Sequence, residues 1–552
     1  MGLVIIGGTA AGMSCAARAR RLDESCEITV LEQTAHVSSA SCGLPYYLSG
    51  TIAQRSSLEV ETAQSLKAAL NIQVLTGMRA TGFDHLRRQV HAIDASGQSH
   101  DFPYDDLVLA TGTHAVMPPI TMLNEPSVTA LRTIEDAESI RRAAKAHAGT
   151  RVLVIGAGFI GVEAAENLAR TKADVTLVEA SAHPLPPIDP QLATYATEAL
   201  THLGVEIHTG TLVQRLERIE TDNTIRVTLS EGTMPPVDRV VIAAGIAPNT
   251  AFAEASGVAC ERGWIDTDEH GRTNLDHVWA AGDATLRTDR VTGVRHPLAL
   301  AGPANREGRL VADAIHDPDH ARTIPPALGT AIVAIGDMVI STTGPTTQQL
   351  DDAHMSYTTL RLLPSQHAGY YPGAEQLDML VRIGADDRLL GAQIAGGAGV
   401  DKRIDVIATA ITAGLRASDL IDLDLAYAPP FGSAKDPINF AGYMAQDTLQ
   451  HIMTQQQPEA LIEGHGDMLL LDVRTDFEYQ ESHIPGTLHI PHTQIRDHID
   501  DIRAAAHGRP VLVICHSGKR AYLAHRILAQ HGFESTVLAG GMNALIRLLS
   551  SQ

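Results

Sequence analysis

The feature that most constrains the fold of this 552-residue chain is a glycine-rich turn that occurs twice, each time between an apolar run and an amphipathic segment. The first turn is Gly7-Gly8-Thr9-Ala10-Ala11-Gly12 and the second is Gly156-Ala157-Gly158-Phe159-Ile160-Gly161. An acidic residue ends the next apolar run in each case: Glu32 comes twenty residues after the last glycine of its turn, and Glu179 comes eighteen residues after. This spacing is typical of the βαβ unit that binds a dinucleotide. The chain is therefore predicted to be an α/β protein with two dinucleotide sites.

The residue types in these turns suit the ligand. Glycines let the backbone approach a pyrophosphate, the following helix N-terminus attracts it, and the acidic residue can bind a ribose diol. The first turn departs from the strict pattern, because Thr9 stands where a glycine is usual. At the second site Glu179 can accept hydrogen bonds from a 2′-hydroxyl but would repel a 2′-phosphate, and no arginine occurs in 180–183. NADH is therefore predicted rather than NADPH.

Composition excludes several classes of protein. The formal net charge of −22 argues against nucleic acid as a partner, because phosphate binding requires a basic face. No apolar run is long enough to span a membrane, and the apolar start lacks the basic flank of a signal peptide, so a first strand is expected there. Five cysteines without regular spacing do not form a disulfide framework and fit a reducing cytoplasm.

The order of the motifs predicts nested domains. Segments 107–112 and 278–284 each follow a β-like run, one before and one after the second turn, so the first dinucleotide domain is expected to be interrupted by the second. Beyond Pro325-Pro326, four β-like stretches precede helical patterns that start at Val400, and Gln455-Gln456-Gln457 suggests a linker. The predicted boundaries are 1–113 with 246–322, then 114–245, an α+β domain at 323–447, the linker at 448–463 and an α/β domain at 464–552.

Two cysteines have a context that indicates reactivity. Cys42 lies in Ser38-Ser39-Ala40-Ser41-Cys42-Gly43-Leu44-Pro45-Tyr46-Tyr47, and no CxxxxC partner accompanies it. Cys515 opens Cys515-His516-Ser517-Gly518-Lys519-Arg520, directly after an apolar run. Such a loop can hold a thiolate or persulfide through backbone NH groups, with Arg520 adding positive charge. The other cysteines are expected to be ordinary packing residues: Cys15, Cys26 and Cys260.

The first 450 residues resemble the pyridine nucleotide-disulfide oxidoreductase superfamily. The two turns, Ala110-Thr111-Gly112 and Gly282-Asp283, occur in that family's order. Within it the chain is most similar to the CoA-disulfide reductase branch, which has one redox cysteine in place of a pair. The segment around Cys42 and the segments Leu300-Ala301-Gly302-Pro303-Ala304-Asn305-Arg306 and Ala426-Tyr427-Ala428-Pro429-Pro430-Phe431-Gly432-Ser433-Ala434-Lys435-Asp436-Pro437 carry this resemblance.

The last ninety residues resemble a rhodanese domain. Its landmarks are Leu471-Asp472-Val473-Arg474, His483-Ile484-Pro485-Gly486-Thr487-Leu488-His489-Ile490-Pro491 and the six-residue loop that begins at Cys515. Fusions of these two parts look like NADH-dependent persulfide reductases. The resemblance implies an α/β fold with two nested Rossmann-like dinucleotide-binding domains, an α+β dimerisation domain and a C-terminal rhodanese domain. It also implies a homodimer whose active sites are shared between subunits.

The resemblance assigns roles by position. FAD is implied at the first turn and NADH at the second, with FAD contacts at Gly7, Gly8, Gly12, Glu32, Ala110, Thr111, Gly112 and Asp283, and NADH contacts at Gly156, Gly158, Gly161 and Glu179. The implied catalytic residues are Cys42, Cys515, Arg520, Tyr427 and one of Tyr370 and Tyr371, between which the sequence does not choose. CoA contacts are implied at Ser14, Arg18, Arg21, Ser38, Ser41, Asn305 and Lys435, and no metal site is expected. Asp472 and Arg474 are expected to be structural.

The leading function is therefore reduction of CoA persulfide, CoA disulfide or polysulfide by NADH through FAD and Cys42, with Cys515 carrying sulfane sulfur. One alternative on the same scaffold is an NADH oxidase or peroxidase that uses Cys42 as a sulfenic acid. A second alternative, of another class, is a sulfurtransferase or sulfur carrier without redox turnover. Bleaching of bound flavin by NADH separates the redox enzymes from this last class.

Overall fold

The computed structural model describes residues 2–120, 125–464 and 466–550. The chain divides into two compact units. The first contains the residues up to Pro184 together with Leu200–Gly329, and the second contains Leu185–Ala199 and the residues from Thr330 onward. Among the described residues, none of the helices combines the length and the apolar character needed to cross a bilayer.

The first dinucleotide domain is a five-stranded parallel sheet. Its strands, in spatial order, are Val278–Ala280, Asp106–Leu109, Gly2–Ile6, Glu27–Glu32 and Gln73–Thr76. The first turn joins Gly2–Ile6 to the first turn helix, Ala10–Leu22, whose small residues let it pack closely on the helix Ala301–His316. The outermost strand comes from late in the chain, as expected of an interrupted domain. A three-stranded antiparallel sheet is attached to it: Arg79–Asp84, Gln89–Ile93 and Ser99–Pro103.

The second dinucleotide domain repeats this arrangement. Its parallel strands, in spatial order, are Glu206–His208, Asp174–Val178, Arg151–Ile155, Arg239–Ile242 and Val128–Ala130. The second turn leads into the second turn helix, Phe159–Ala169. An antiparallel sheet of Val213–Ile219, Thr224–Leu229 and Gly232–Val237 is attached. The chain leaves the first domain at Thr113–Ala115 and returns at Ile246–Pro248, and these two strands pair with each other.

The α+β domain follows in the second unit. Its antiparallel sheet has the order Ala331–Ile335, Met338–Thr343, Leu389–Gly396, Asp378–Gly384 and Tyr357–Leu362. The first of the four β-like stretches noted in the sequence, residues 330–340, is therefore a hairpin rather than one strand. Gly336 adopts a φ of +61° and reverses the chain between Ile335 and Met338. The helices of this domain are Thr347–Asp352, Val400–Ala413 and Pro437–Leu449.

The final α/β domain is a parallel sheet of Gln455–Gln456, Ser535–Leu538, Val511–Ile514, Leu469–Asp472 and Leu488–His489, in that order. Its helices are Pro458–Glu463, Asp476–Glu481, Ile499–Ala506, Lys519–Gln530 and Gly541–Ser550. The predicted linker is thus ordered, since Gln455–Gln456 is an edge strand that pairs with Val537 and Leu538. The Gln455 side chain also exchanges two hydrogen bonds with the backbone of Arg361, at 3.0 and 2.9 Å.

The remaining elements are short or peripheral. The other α-helices are Leu44–Ser49, Ala63–Leu70, Ile134–Ala144, Pro190–His202 and Ala251–Ala255. The 3-10 helices are Ser41–Gly43, Arg55–Leu58, Ser418–Asp422 and Ile495–His498, and two small hairpins pair Cys260–Glu261 with Trp264–Ile265 and Leu286–Thr288 with Arg295–Pro297.

Candidate active sites

Cys42 is an exposed free thiol at the start of a short helix. It lies in the 3-10 turn Ser41–Gly43, which runs directly into the cysteine helix, Leu44–Ser49. Ser38, with a φ of +51°, turns the chain, and its NH donates to the carbonyl oxygen of Gly8 at 2.8 Å. The segment that carries Cys42 is thereby attached to the first glycine turn. Ser38 and Ser41, both predicted CoA contacts, lie in this same segment.

The first turn is built so that only glycine fits at its ends. A Cβ on Gly7, whose φ is +110°, would lie 2.1 Å from the carbonyl oxygen of Ala110, and one on Gly12 would lie 1.9 Å from the carbonyl oxygen of Gly7. The buried carboxylate of Glu32 accepts a hydrogen bond from the NH of Gly8 at 2.8 Å. The other oxygen, Oε1, accepts from the NH and the hydroxyl of Thr34, both at 2.8 Å, so Oε2 keeps a lone pair for a ribose hydroxyl.

Two buried oxygens near this turn have no partner among the described residues. They are Oδ1 of Asp283 and Oγ1 of Thr111. Burial raises the pKa of the Asp283 carboxyl, which is the expected result when a polar group lacks a hydrogen-bond donor. Buried polar groups in proteins are almost always satisfied. These two orphaned oxygens therefore fit the hydroxyl groups of a bound flavin dinucleotide, and Gly112, with a φ of +60°, faces open space beside them.

Two residues that the sequence analysis missed support Asp283. Arg287 and Glu307 form a buried ion pair beneath the loop. Glu307 accepts from the NH of Gly282 at 3.0 Å, and Arg287 donates to the carbonyl oxygen of Gly282 at 2.8 Å. No local pattern distinguishes these residues, because each lies on a different element and they meet only through the fold.

The second turn has the same construction. A Cβ on Gly156 would lie 2.4 Å from the carbonyl oxygen of Ala243, and one on Gly161 would lie 1.9 Å from that of Gly156, whereas Gly158 faces open space. Glu179 is buried and accepts from the NH groups of Ala157 at 2.6 Å and Ser181 at 2.7 Å. The open face at Gly158 and the fixed carboxylate fit a pyrophosphate and an unphosphorylated ribose, respectively.

The predicted CoA contacts on the first turn helix have partners of their own. Ser14 Oγ donates to Oδ1 of Asn305 at 2.6 Å, so these two predicted residues lie together. The Arg18 guanidinium pairs with Asp313, and Arg21 donates to the backbone oxygen of Ala17 at 3.2 Å. Arg18 therefore shares its charge with an acid that the sequence analysis did not foresee. Arg20, between them, is buried, and its hydrogen bonds to described residues go to the backbone oxygens of Asp23, Glu24, Leu70 and Asn71.

The structure distinguishes the two candidate tyrosines. The hydroxyl of Tyr370 lies 2.9 Å from that of Tyr427, whereas Tyr371 packs edge-on against His367. Tyr370 and Tyr427 are 76% and 47% exposed, and Phe431 is 72% exposed on the same domain. The ammonium group of Lys435 lies 5.9 Å from the ring centre of Tyr443. An aromatic face this exposed is characteristic of an interaction surface.

Cys515 lies in a loop between a buried strand and a helix. Its Sγ accepts a hydrogen bond from the NH of Gly518 at 3.2 Å, and the residue is only 1% exposed. Both terminal nitrogens of Arg520 donate to Glu478, at 2.7 and 2.5 Å, which lowers the pKa of Glu478 well below its usual range. Glu478 was not predicted, because it precedes Arg520 by 42 residues. Asp472 and Arg474 form a buried pair, as expected of structural residues.

Comparison with known families assigns each part of the chain. Residues 1–308 match the pyridine nucleotide-disulphide oxidoreductase family. Residues 330–436 match the dimerisation domain of the same family, and residues 454–547 match the rhodanese-like domain.

The curated relatives match about four fifths of the chain. An NADH oxidase of Methanocaldococcus jannaschii is 29% identical over 453 residues, which is 82% of this chain and 99% of that protein. A coenzyme A disulfide reductase of Staphylococcus epidermidis is 30% identical over 450 residues, which is 80% of this chain and 99% of that protein.

Two solved structures match the chain along its whole length. The reduced CoADR-RHD of Bacillus anthracis is 33% identical, with a TM-score of 0.95, and the match covers 100% of this chain and 98% of that one. A NAD-dependent persulfide reductase from A. fulgidus is also 33% identical, with a TM-score of 0.91 and coverage of 99% and 100%. The chain therefore belongs to the pyridine nucleotide-disulphide oxidoreductase family and continues, after that family's dimerisation domain, into a rhodanese-like domain.

Proposed function

We propose that this protein is an NADH-dependent flavoprotein that reduces CoA persulfide, CoA disulfide or polysulfide. The observation that carries the proposal is that Cys42 is an exposed free thiol and that all five cysteines are unpaired. A lone reactive sulfur forms a mixed disulfide with its substrate rather than within the protein. The names of the Staphylococcus epidermidis, Bacillus anthracis and A. fulgidus proteins support CoA-linked sulfur as that substrate.

The balanced reaction with a persulfide is NADH + H⁺ + CoA–S–SH → NAD⁺ + CoA–SH + H₂S. The Cys42 thiolate attacks the sulfur bonded to CoA, the S–S bond breaks, and hydrosulfide leaves with its electron pair. The flavin, when bound, supplies two-electron transfer from NADH to the mixed disulfide. Reduction returns Cys42 to a thiolate and releases the CoA thiol, and the Tyr370–Tyr427 hydroxyl pair is suited to protonate that departing sulfur.

The chain's own residues would hold FAD at the first turn and NADH at the second. Asp283, Thr111 and Glu32 offer oxygens to FAD, and Glu179 offers its carboxylate to the NADH ribose. CoA would lie along Ser14, Asn305 and Cys42. The exposed aromatic face of the dimerisation domain supports a homodimer in which Tyr370, Tyr427 and Lys435 reach the partner's site.

The rhodanese-like domain would handle sulfane sulfur at Cys515. A persulfide on Cys515 would be stabilised by the Gly518 NH and by the loop that Arg520 and Glu478 hold in place. The proposal covers transfer of sulfane sulfur in either direction between Cys515 and the substrates of Cys42.

A second candidate is an NADH oxidase or peroxidase that cycles Cys42 through a sulfenic acid. The Methanocaldococcus jannaschii relative, an NADH oxidase, favours it, and an exposed cysteine suits it. Steady-state kinetics with CoA persulfide, CoA disulfide, polysulfide and hydrogen peroxide, measured side by side, decide between the two. We expect the highest kcat/KM with a CoA substrate. Faster turnover with peroxide or oxygen would favour the oxidase, and failure of NADH to bleach the flavin would leave only sulfur transfer.

A further inference from the structure

One hydrogen bond connects the helix that follows Cys42 with the helix that follows the second turn. The hydroxyl of Tyr46 donates to Oε1 of Glu163 at 2.9 Å. Tyr46 lies in the cysteine helix, four residues after Cys42, and Glu163 lies in the second turn helix, five residues after Gly158. The two helices pack against each other. The bond therefore joins the element that carries the reactive thiol to the element on which the second dinucleotide would be bound.

The environment of this bond makes it sensitive to charge. Burial raises the pKa of the Glu163 carboxyl, and the neighbouring carboxylate of Glu166 raises it further, while the hydrogen bond from Tyr46 acts in the opposite direction. Burial likewise raises the pKa of Tyr46, and the negative charges of Glu163, Glu166 and Cys42 add to this effect. Tyr46 therefore responds electrostatically to both Glu163 and Cys42.

The other charged groups around the pair have partners elsewhere. Glu166 forms an ion pair with Arg170 on the second turn helix. On the helix Ile134–Ala144, which also packs on the cysteine helix, Arg141 lies 4.2 Å from the ring centre of Tyr47. Within the described part of the chain, the hydrogen bond to the Glu163 carboxylate is accepted by Oε1.

We propose that Tyr46 and Glu163 are a positioning pair through which a dinucleotide bound at the second turn changes the reactivity of Cys42. The inference rests on the proposed function, since it takes Cys42 as the reactive sulfur and the second turn as the NADH site. A ligand at the second turn changes the electrostatic field and the solvent around Glu163. The strength of the hydrogen bond between Tyr46 and Glu163 changes as a result, and the cysteine helix moves or becomes more rigid in response. The reactivity of Cys42 would in this way depend on whether NADH is bound.

The experiment measures the alkylation of Cys42 rather than turnover. The flavin-loaded protein is reduced, freed of reductant and treated with iodoacetamide at pH 6, 7 and 8, with and without saturating NAD⁺, and Cys42 modification is followed by peptide mass. The variants are Tyr46→Phe, Glu163→Gln and the double variant. Tyr47→Phe is the matched control, because Tyr47 is the adjacent residue of the same helix and interacts with Arg141 through its ring. Calorimetry with NAD⁺ verifies that each variant still binds the dinucleotide.

We expect NAD⁺ to change the wild-type alkylation rate by about two- to tenfold, the range that one net hydrogen bond supplies. Tyr46→Phe and Glu163→Gln should each reduce this ratio to about one, the double variant should add nothing further, and Tyr47→Phe should keep the wild-type ratio. A wild-type ratio of one, or a ratio retained in both single variants that bind NAD⁺, would overturn the proposal. Failure of NADH to reduce the flavin would instead count against the proposed function, because alkylation does not require turnover.

Discussion

The phenol oxygens of Tyr370 and Tyr427 lie 2.9 Å apart, although 57 residues separate them in the chain. The hydrogen bond with Tyr427 raises the pKa of Tyr370, so one hydroxyl of the pair holds its proton firmly while the other can donate outward. Such a pair is suited to donate to a thiolate as it leaves a disulfide. Tyr371, the neighbouring residue in sequence, makes no contact of this kind, since it packs against His367.

The tyrosine pair gives the first prediction. Tyr427→Phe should lower kcat for CoA persulfide by about 10- to 100-fold, because the leaving sulfur loses its proton donor. Steady-state kinetics measure this effect, and Tyr371→Phe is the control, with an expected change of less than about twofold. Equal losses in the two variants would assign the effect to the packing of the domain rather than to the hydroxyl.

Replacement of the reactive thiol should separate cofactor binding from turnover. Cys42→Ser should retain bound flavin but lose reductase activity with every sulfur substrate, since a hydroxyl cannot form a mixed disulfide. It should also lose any long-wavelength absorption that arises from a thiolate beside the flavin. Cys260→Ser, a change at a half-buried cysteine on a short hairpin, is the control. Turnover that survives in Cys42→Ser would remove Cys42 as the redox centre.

The second glycine turn should select NADH. The Glu179 carboxylate is buried and fixed by the NH groups of Ala157 and Ser181, so it cannot swing away from a 2′-phosphate. The repulsion should cost about 1–3 kcal/mol, which corresponds to a kcat/KM for NADPH roughly 10- to 100-fold below that for NADH. Kinetics with the two nucleotides measure the ratio directly. A preference for NADPH would contradict the assignment of Glu179.

The roles of the Cys42 and Cys515 sulfurs should be separable by mutation. Cys515→Ser should abolish sulfur transfer from thiosulfate and leave the reduction of flavin by NADH unchanged. Reduction of CoA persulfide should survive in part, because this substrate can reach Cys42 directly, whereas polysulfide reduction should fall further. Both substrates are measured in the one variant. Equal and complete loss of activity with the two substrates would mean that all sulfur passes through Cys515. Unchanged activity with both would mean that the C-terminal domain is an accessory module.

Acidic pH should destabilise the loop that begins at Cys515, because it protonates Glu478. Its pKa lies well below the usual range, because Arg520 and Thr475 donate hydrogen bonds to its carboxylate. A carboxyl whose folded pKa is depressed stabilises the fold above its unfolded pKa, about 4.3, and this stabilisation is lost as the pH falls further.

Hydrogen exchange can test this dependence. From about pH 5 downward, protection of the helix Lys519–Gln530 should therefore decline more in the wild type than in Glu478→Gln. Glu481→Gln, an exposed carboxyl on the same helix as Glu478, should behave like the wild type. A wild-type decline no steeper than that of Glu478→Gln would contradict the role of the pair.

Local patterns predicted the βαβ unit at both turns, with Gly7, Gly12, Gly156 and Gly161 in the turns. Gly12 and Gly161 are each required by a contact within the turn itself, whereas Gly7 and Gly156 are required by contacts with the more distant residues Ala110 and Ala243. The long-range partners were not predictable. Arg18 with Asp313, Arg287 with Glu307 and Arg520 with Glu478 each join residues from different elements, and no spacing rule relates them.

The choice between Tyr370 and Tyr371 also required the fold. Two adjacent tyrosines in a turn have the same composition and the same expected exposure, and only the path of the backbone decides which hydroxyl meets Tyr427. The Gln-rich stretch misled for a related reason. Glutamine amides offer donors and acceptors of the same kind as the peptide group, so Gln455 can pair with the backbone of Arg361 where the composition alone indicated a linker.

That stretch determines where the C-terminal domain can be separated from the rest of the protein. Gln455–Gln456 covers the edge of the strand Ser535–Leu538. A fragment that starts at residue 464, the boundary that composition favours, would leave Ser535–Leu538 as an open sheet edge, and open edges pair with other chains. Expression of the rhodanese-like domain on its own should therefore begin before Thr454, whose carbonyl oxygen accepts from the NH of Val537 at 2.9 Å.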